Sequence, residues 1–498
     1  MNVNPITRLD YPDPDVIRVE DTYYMVSTTM HFMPGCEILQ SFDLVHWEHV
    51  TYVYETLDHT DAQQLKSGQN IYGQGMWAAS LRYHEGRFYI CFVANDTRKT
   101  YLYTSEKIDG PWKKQLIEGF YHDGSLLFDE DGRNYIVYGN DEIWITELNE
   151  DLTAPKKDGL HRLLVSDHKN PELGYEGSHI QKINGYYYIF LVHSLRDRWM
   201  RTEACFYSDS LEGEFTGGDV LCDDRGYCGQ GVAQGGIVDT PDGKWYAILF
   251  QDSGAVGRIP ILLPVTWKDH FPVFGQNGHV PEEIEVHSTR PGYIYQPLVG
   301  SDDFCNGLLP RWQFNHDPDP RYYHLDALQG TYTITTREVC TELTQAVNTL
   351  TQRMSYPSCA AEVTVDASAL KEGDVAGLCA LQSCYAAVGI TKHHGKYEVL
   401  MLDKKEDGIL DMTEGTVVES HQMDFRLEAD FCNMKDEARC YYRVNKGDWL
   451  PIGTVHKLYF KLDHFTGCRF GLFCYAAEET GGSACFRDFK YYDVDEIS

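Results

Sequence analysis

A chain of 498 residues is too long for one ordinary core, so two domains are expected, and a hydrophobic content of 43% supplies enough to bury in both. The 43 Lys and Arg against 75 Asp and Glu leave a net charge of −32, which repels phosphate backbones and anionic headgroups and so excludes nucleic acid and membrane surfaces as partners. No run approaches the roughly 18 apolar residues of a membrane span.

The opening stretch MNVNPITRLDYPDPD has neither the basic nor the apolar region of a signal peptide, so a cytoplasmic protein is expected. The 15 cysteines are scattered, odd in number and lack a Cys-x-x-Cys pair, which reads as reduced thiols and no zinc site.

From Asp10 to about Pro297 the pattern is strand, turn, strand, with Asp131-Gly132, Asn184-Gly185 and Asp242-Gly243 as hairpin turns. Five short strands are anchored on a tyrosine: Tyr24, Tyr89, Tyr135, Tyr188 and Tyr246. Twelve positions before the last four stand Trp77, Asp123, Glu176 and Gln234, and eleven before the first stands Asp13. A repeat of roughly 45 to 65 residues made of short strands is the signature of propeller blades around an axis, so residues at one address in each blade converge there. No stretch of this half has the periodicity of a long amphipathic helix. A boundary near Tyr295–Gly300 assigns residues 1–297 to the propeller and 301–498 to a second domain. There about ten alternating segments, CAAEVTVDA and CRFGLFCY among them, predict a β-sandwich packed against the first domain.

Asp13 lies between Pro12 and Pro14, which hold the backbone extended and present the carboxylate with little freedom. Strand alternation would place Asp15 on the same side, and the repeat address selects Asp13. Asp123 precedes the apolar strand SLLF, and the Asp129–Gly132 turn after it reads as a hairpin turn, not a calcium loop. Glu176 stands between Gly174-Tyr175 and Gly177, small neighbours that would let a substrate approach. His179 reads as structural. Hydrolysing an acetal needs one protonated carboxyl for the leaving oxygen and one carboxylate to activate water. A third acid beside them would keep the donor protonated by like-charge repulsion. Asp13, Asp123 and Glu176 supply these parts.

The segments YPDPDVIRVEDTYYMVS, SFDLVHW, GMWAASLRY, HDGSLLFDEDGRNYIVYG, GYEGSHIQKINGYYYIFL and VDTPDGKWYAILF resemble, in order, the blade motifs of glycoside hydrolase family 43. LTQRMSYPSCAAEVTVD and GDVAGLCALQSCYAAVGI resemble the concanavalin-like sandwich of its xylosidase and arabinofuranosidase branches. The resemblance implies an all-β chain, a five-bladed β-propeller followed by that sandwich. It implies an inverting mechanism with Asp13 as general base, Glu176 as general acid and Asp123 orienting and tuning Glu176. It further implies Trp77, Phe32, Gln234 and Arg258 around the sugar, with Trp77 stacking on it. No cofactor is required; the resemblance leaves an axial calcium open, and Gln234, standing where many relatives have a histidine near that metal, argues against it.

Exo-acting release of terminal α-L-arabinofuranose or β-D-xylose from small xylan-derived oligosaccharides is therefore expected. β-D-Xylosidase as the main activity and a non-catalytic carbohydrate-binding propeller are the alternatives. The sandwich is expected to contribute a loop that closes the pocket, and a homo-oligomer is neither required nor excluded by the sequence.

Overall fold

The computed structural model describes residues 3–413 and 415–493. Residues 15–274 build five four-stranded antiparallel sheets, each a meander in chain order. Their first strands are Asp15–Val19, Met76–His84, Ser125–Phe128, Glu176–Ile183 and Ala233–Asp239. Each of these touches the first strand of the blade on either side, so the five close into a ring around one axis. The chain is thus a five-bladed propeller.

Each anchoring tyrosine sits on the second strand of its blade, paired with the inner strand at Ile17–Tyr24, Arg82–Tyr89, Leu127–Tyr135, Gln181–Tyr188 and Val238–Tyr246. The Gly132, Gly185 and Gly243 turns between these strands have φ of 81°, 84° and 80°, a conformation that favours glycine. Five apolar clusters fill the five gaps between neighbouring blades. No blade buries both its faces alone, so each depends on its neighbours. The ring is closed by Arg18 of the first blade bonding Asp239 of the fifth at 2.5 Å. The N-terminal segment adds to this by running along Arg258–Lys268, with Tyr11 N–H donating to Arg258 O at 2.9 Å.

Residues 275–300 contain no strand and strap the outer edge of the first blade, where Gln296 N–H donates to Glu48 at 2.9 Å and Arg290 to Asp21 at 2.8 Å. The second domain packs an eight-stranded sheet on a seven-stranded one. Val363, Phe425 and Leu427 from one sheet meet Leu378, Val388 and Phe470 from the other in its core. More strands form than alternation predicts, because pieces such as Gln313–Phe314 and Thr416–Val418 are too short to show a period. The described residues contain no α-helix, and no helix is long and apolar enough to cross a membrane.

The two domains are joined through buried polar groups. Arg353 of the sandwich donates to Glu37 at 2.8 Å and to Asp10 O at 2.9 Å, and lies 4.2 Å over the Tyr11 ring. Met33 and Phe314 exchange two backbone bonds across the boundary. Asp10 accepts Arg258 N–H from the propeller at 2.8 Å and Gly467 N–H from the sandwich at 2.7 Å.

Candidate active site

Asp13, Trp77, Asp123, Glu176 and Gln234, one from each blade, all line a single axial cavity of about 190 Å³. His122, Leu173, Arg201 and Arg258 complete its wall, and Leu462 and Phe465 of the second domain cover it. A backbone bend at the entry to each inner strand brings the five together. Asp13, Asp123 and Gln234 have φ of 52°, 48° and 62°, and in the other two blades the next residue does, Ala78 at 26° and Gly177 at 65°. Ladder register shifts accompany the bend at Trp77–Ser80, Glu176–His179 and Ala233–Gly235. Such bulges re-aim side chains and interrupt alternation.

This bend separates Asp13 from Asp15, contrary to simple alternation. Asp15 is fully buried deeper on the axis, bonded to Arg82 at 2.8 Å and facing His179 at 3.1 Å. Burial pushes its carboxyl up, but Arg82 and His179 outweigh it and hold it at about 2. Gly177 is small for a different reason from substrate access: a Cβ there would lie 2.6 Å from Gln234 Cγ.

Asp13 accepts Arg258 Nη1–H at 2.7 Å and Thr28 Oγ1–H at 2.5 Å. Arg258 also donates to Asp252 at 3.3 Å, and Asp252 pairs in turn with Arg201. The Arg258 guanidinium is sandwiched between the Phe465 ring at 3.8 Å and the Phe250 ring at 4.5 Å. Burial, with Arg258 nearby, holds Arg201 down at about 9. Trp77 meets Phe465 edge-on at 5.1 Å between centroids, and its indole N–H has no acceptor among the described residues.

Asp123 accepts Gly177 N–H at 2.9 Å and Glu176 accepts an amide proton of Asn140 at 2.9 Å. One nitrogen of His122 and one oxygen each of Asp123 and Glu176 fall within 4.8 Å of one another. Burial pushes the Asp123 carboxyl up to about 6, with the charges of Glu176 and Asp13 adding to it against His122. Burial also raises Glu176, but His122, Arg201 and Arg258 outweigh it and leave Glu176 below the ordinary range. Burial thus favours the protonated form of Asp123, whereas His122 and the two arginines favour the Glu176 carboxylate.

Phe32 is a correction. It does not line this cavity: it is 2% exposed, with the Arg469 guanidinium 3.4 Å from its ring centroid and His31 against it at 4.3 Å. The axial position below the acids is likewise filled. The Arg82 guanidinium donates there to Asp15, Ser125, Leu126 O and Ile180 O, so the residues present do not fit a cation. Sequence reasoning missed His122, Arg201, Leu173, Leu462 and Phe465. Adjacency to Asp123 was the one available signal, for His122; the sandwich residues had none.

The profile of glycosyl hydrolases family 43 matches residues 3–272, and that of the β-xylosidase C-terminal concanavalin A-like domain matches residues 301–492. A β-xylosidase of Formosa agariphila is 26% identical, covering 99% of this chain and 89% of its own. A non-reducing end α-L-arabinofuranosidase of Bacteroides ovatus is 24% identical over 82% of this chain and 79% of its own. A bifunctional GH43-CE protein of Bacteroides eggerthii is 42% identical with a TM-score of 0.92; 99% of this chain spans 64% of that one. A GH43 enzyme engineered to display both endo-xylanase and exo-arabinofuranosidase activity superposes with a TM-score of 0.85 at 27% identity, over 99% of each chain. With the family profile spanning the whole propeller and its five axial residues, the chain belongs to glycosyl hydrolases family 43.

Proposed function

We propose that the chain removes terminal α-L-arabinofuranose or β-D-xylose from small oligosaccharides by single displacement with inversion. The observation that carries this reading is a small, partly covered cavity lined by three acids, an indole and an arginine. Its 190 Å³ is below the roughly 300–1,000 Å³ of drug-sized ligand pockets, so it takes one sugar ring and not a polymer. Coverage by Phe465 and Leu462 favours cleavage at chain ends over an open cleft. The β-xylosidase and arabinofuranosidase relatives agree with a pentose.

Asp13, bonded to Arg258 and Thr28, is the base that takes a proton from the attacking water. Glu176 protonates the leaving oxygen, and Asp123, its neighbour through the Gly177 amide, orients it. Trp77 stacks on the sugar face. No metal is required, because Arg82 already supplies the positive charge on the axis. Fifteen free thiols fit a reducing cytoplasm, where imported short oligomers would be the substrates.

Nitrophenyl α-L-arabinofuranoside and nitrophenyl β-D-xyloside assayed side by side test the sugar. Inactivity on both overturns the pentose. Proton NMR of the first-formed product tests the stereochemistry, and retention of anomeric configuration overturns water attack assisted by Asp13.

A further inference from the structure

Arg201 opens the third strand of the fourth blade, Arg201–Ser208, away from the address that the five blades share, and still lines the axial cavity. It is 2% exposed. A guanidinium carries five N–H donors in a fixed fork, and buried donors of this kind are normally bonded. Here, among the described residues, Asp252 alone accepts from it, at Nη1, and the buried Nε makes no hydrogen bond. Most of the fork is thus without a protein acceptor.

The group is nonetheless held in place. Asp252 takes Arg201 on one carboxylate oxygen and Arg258 on the other, and the Phe250 ring lies 5.2 Å from the first guanidinium and 4.5 Å from the second. The Trp199 ring stands 5.0 Å from Arg201. Burial is the main reason its ionisation drops to about 9, with Arg258 adding to the fall and Glu176 and Asp13 opposing it. At neutral pH it is therefore charged, fixed in direction and short of acceptors.

Resting on the reading of the cavity as a pentose site, we propose that Arg201 is a specificity-determining residue that donates from its unbonded N–H groups to hydroxyl oxygens of the terminal pentose. A buried donor without an acceptor destabilises the empty site, and a sugar oxygen relieves that. A neutral oxygen suits the place better than an anion, because Asp13, Asp123 and Glu176 share the cavity and repel a further carboxylate. Arg258 is already engaged by both Asp13 and Asp252, so Arg201 has the larger share of free donors. The planar fork fixes where those oxygens must lie, which the single ammonium of a lysine does not.

Monodeoxy sugars provide the test. Whichever of nitrophenyl α-L-arabinofuranoside and nitrophenyl β-D-xyloside the wild type hydrolyses is assayed beside each of its monodeoxy analogues on wild type, Arg201→Met and Arg201→Lys. Comparing each analogue with itself across the three enzymes cancels its intrinsic reactivity. On the parent pentoside kcat/KM is expected to fall roughly 10- to 100-fold in both variants, the range for a hydrogen bond to a charged group. On the analogue lacking an oxygen that Arg201 holds, the fall is expected to be at least about fivefold smaller, outside the roughly twofold within which independent changes combine. Lysine keeps the charge beside Asp252, so Arg201→Lys serves should the melting temperature show Arg201→Met to be misfolded. Equal losses on the parent and every analogue, no loss on the parent, or wild-type rates in Arg201→Lys overturn the proposal, since a residue acting only through Asp252 or Glu176 moves all substrates alike. A wild type inactive on both parent pentosides sinks the pentose reading instead, and the proposal with it.

Discussion

At the scale of single residues, identical side chains differ in charge because their surroundings differ. Asp13 is held by an arginine and a threonine hydroxyl, so substituting its carboxylate removes the proposed base while the neighbours remain. Asp13→Asn and Glu176→Gln are each expected to lower kcat by roughly 10²–10⁴-fold on oligosaccharides with the melting temperature nearly unchanged, as steady-state kinetics and calorimetry will read. Glu203 behaves differently. It is fully buried, accepts Gln234 N–H at 2.7 Å, and burial pushes its carboxyl well above the ordinary range. The folded protein thus keeps a proton that the unfolded chain releases near pH 4.3, so wild-type stability falls as pH rises above that value. Glu203→Gln removes this dependence. Its melting temperature relative to wild type is expected to rise between pH 5 and pH 8, by the equivalent of about 1.4 kcal/mol per pH unit while the native carboxyl stays protonated. A difference that stays constant across that range would show that Glu203 is ionised in the fold.

At the scale of elements, the inner strands do two things: they seal the axis and they aim the acids. Arg82, on the second inner strand, bonds Asp15 of the first and carbonyls of the third and fourth, tying four blades together. Arg82→Met leaves buried Asp15 without its arginine, at a cost of about 3–5 kcal/mol in unfolding free energy by denaturant titration. A chelator is expected to change neither stability nor rate in the wild type, and a large loss on chelation would mean that a metal, not Arg82, holds the axis. The loop carrying Phe465 is the other functional element. Its ring covers Arg258 and abuts Trp77, so Phe465→Ala opens the cavity and loosens Arg258. A fall in kcat/KM of roughly 10- to 100-fold, about 1.4–2.8 kcal/mol, is expected. Unchanged kinetics would make the loop a bystander.

At the scale of the whole molecule, the propeller is not a free-standing enzyme. In its first blade buried Glu37 is paired with Arg353 of the sandwich as well as with His49, and burial of Asp10 is offset in part by Gly467 N–H from the sandwich. Removing the sandwich takes a partner from each of these carboxylates and exposes Ala255, Val256 and Ile259, which pack into the sandwich core. A chain ending at residue 297 is therefore expected to express poorly and to have no measurable glycosidase activity. The intact protein is expected to melt in one calorimetric transition, and two separated transitions would show that the interface contributes little.

The sequence by itself determined the all-β fold, the five blades and the shared address. Tyrosine anchors, Gly turns and short strands are local signals, and a repeat multiplies a weak local signal fivefold. It therefore pointed to Asp13, Trp77, Asp123, Glu176 and Gln234, which the fold does gather in one cavity. Only the tertiary structure decided what surrounds them. Phe32 turned out to lie under Arg469, Asp15 to face Arg82, and Arg201 and Phe465 to enter from a distant strand and a separate domain. These depend on contacts between residues from 67 to more than 400 positions apart, which leave no periodic trace in the chain. The charge states of Asp123, Glu176 and His122 were equally illegible, because they arise from burial and mutual distance, and both come into being only when the ring closes.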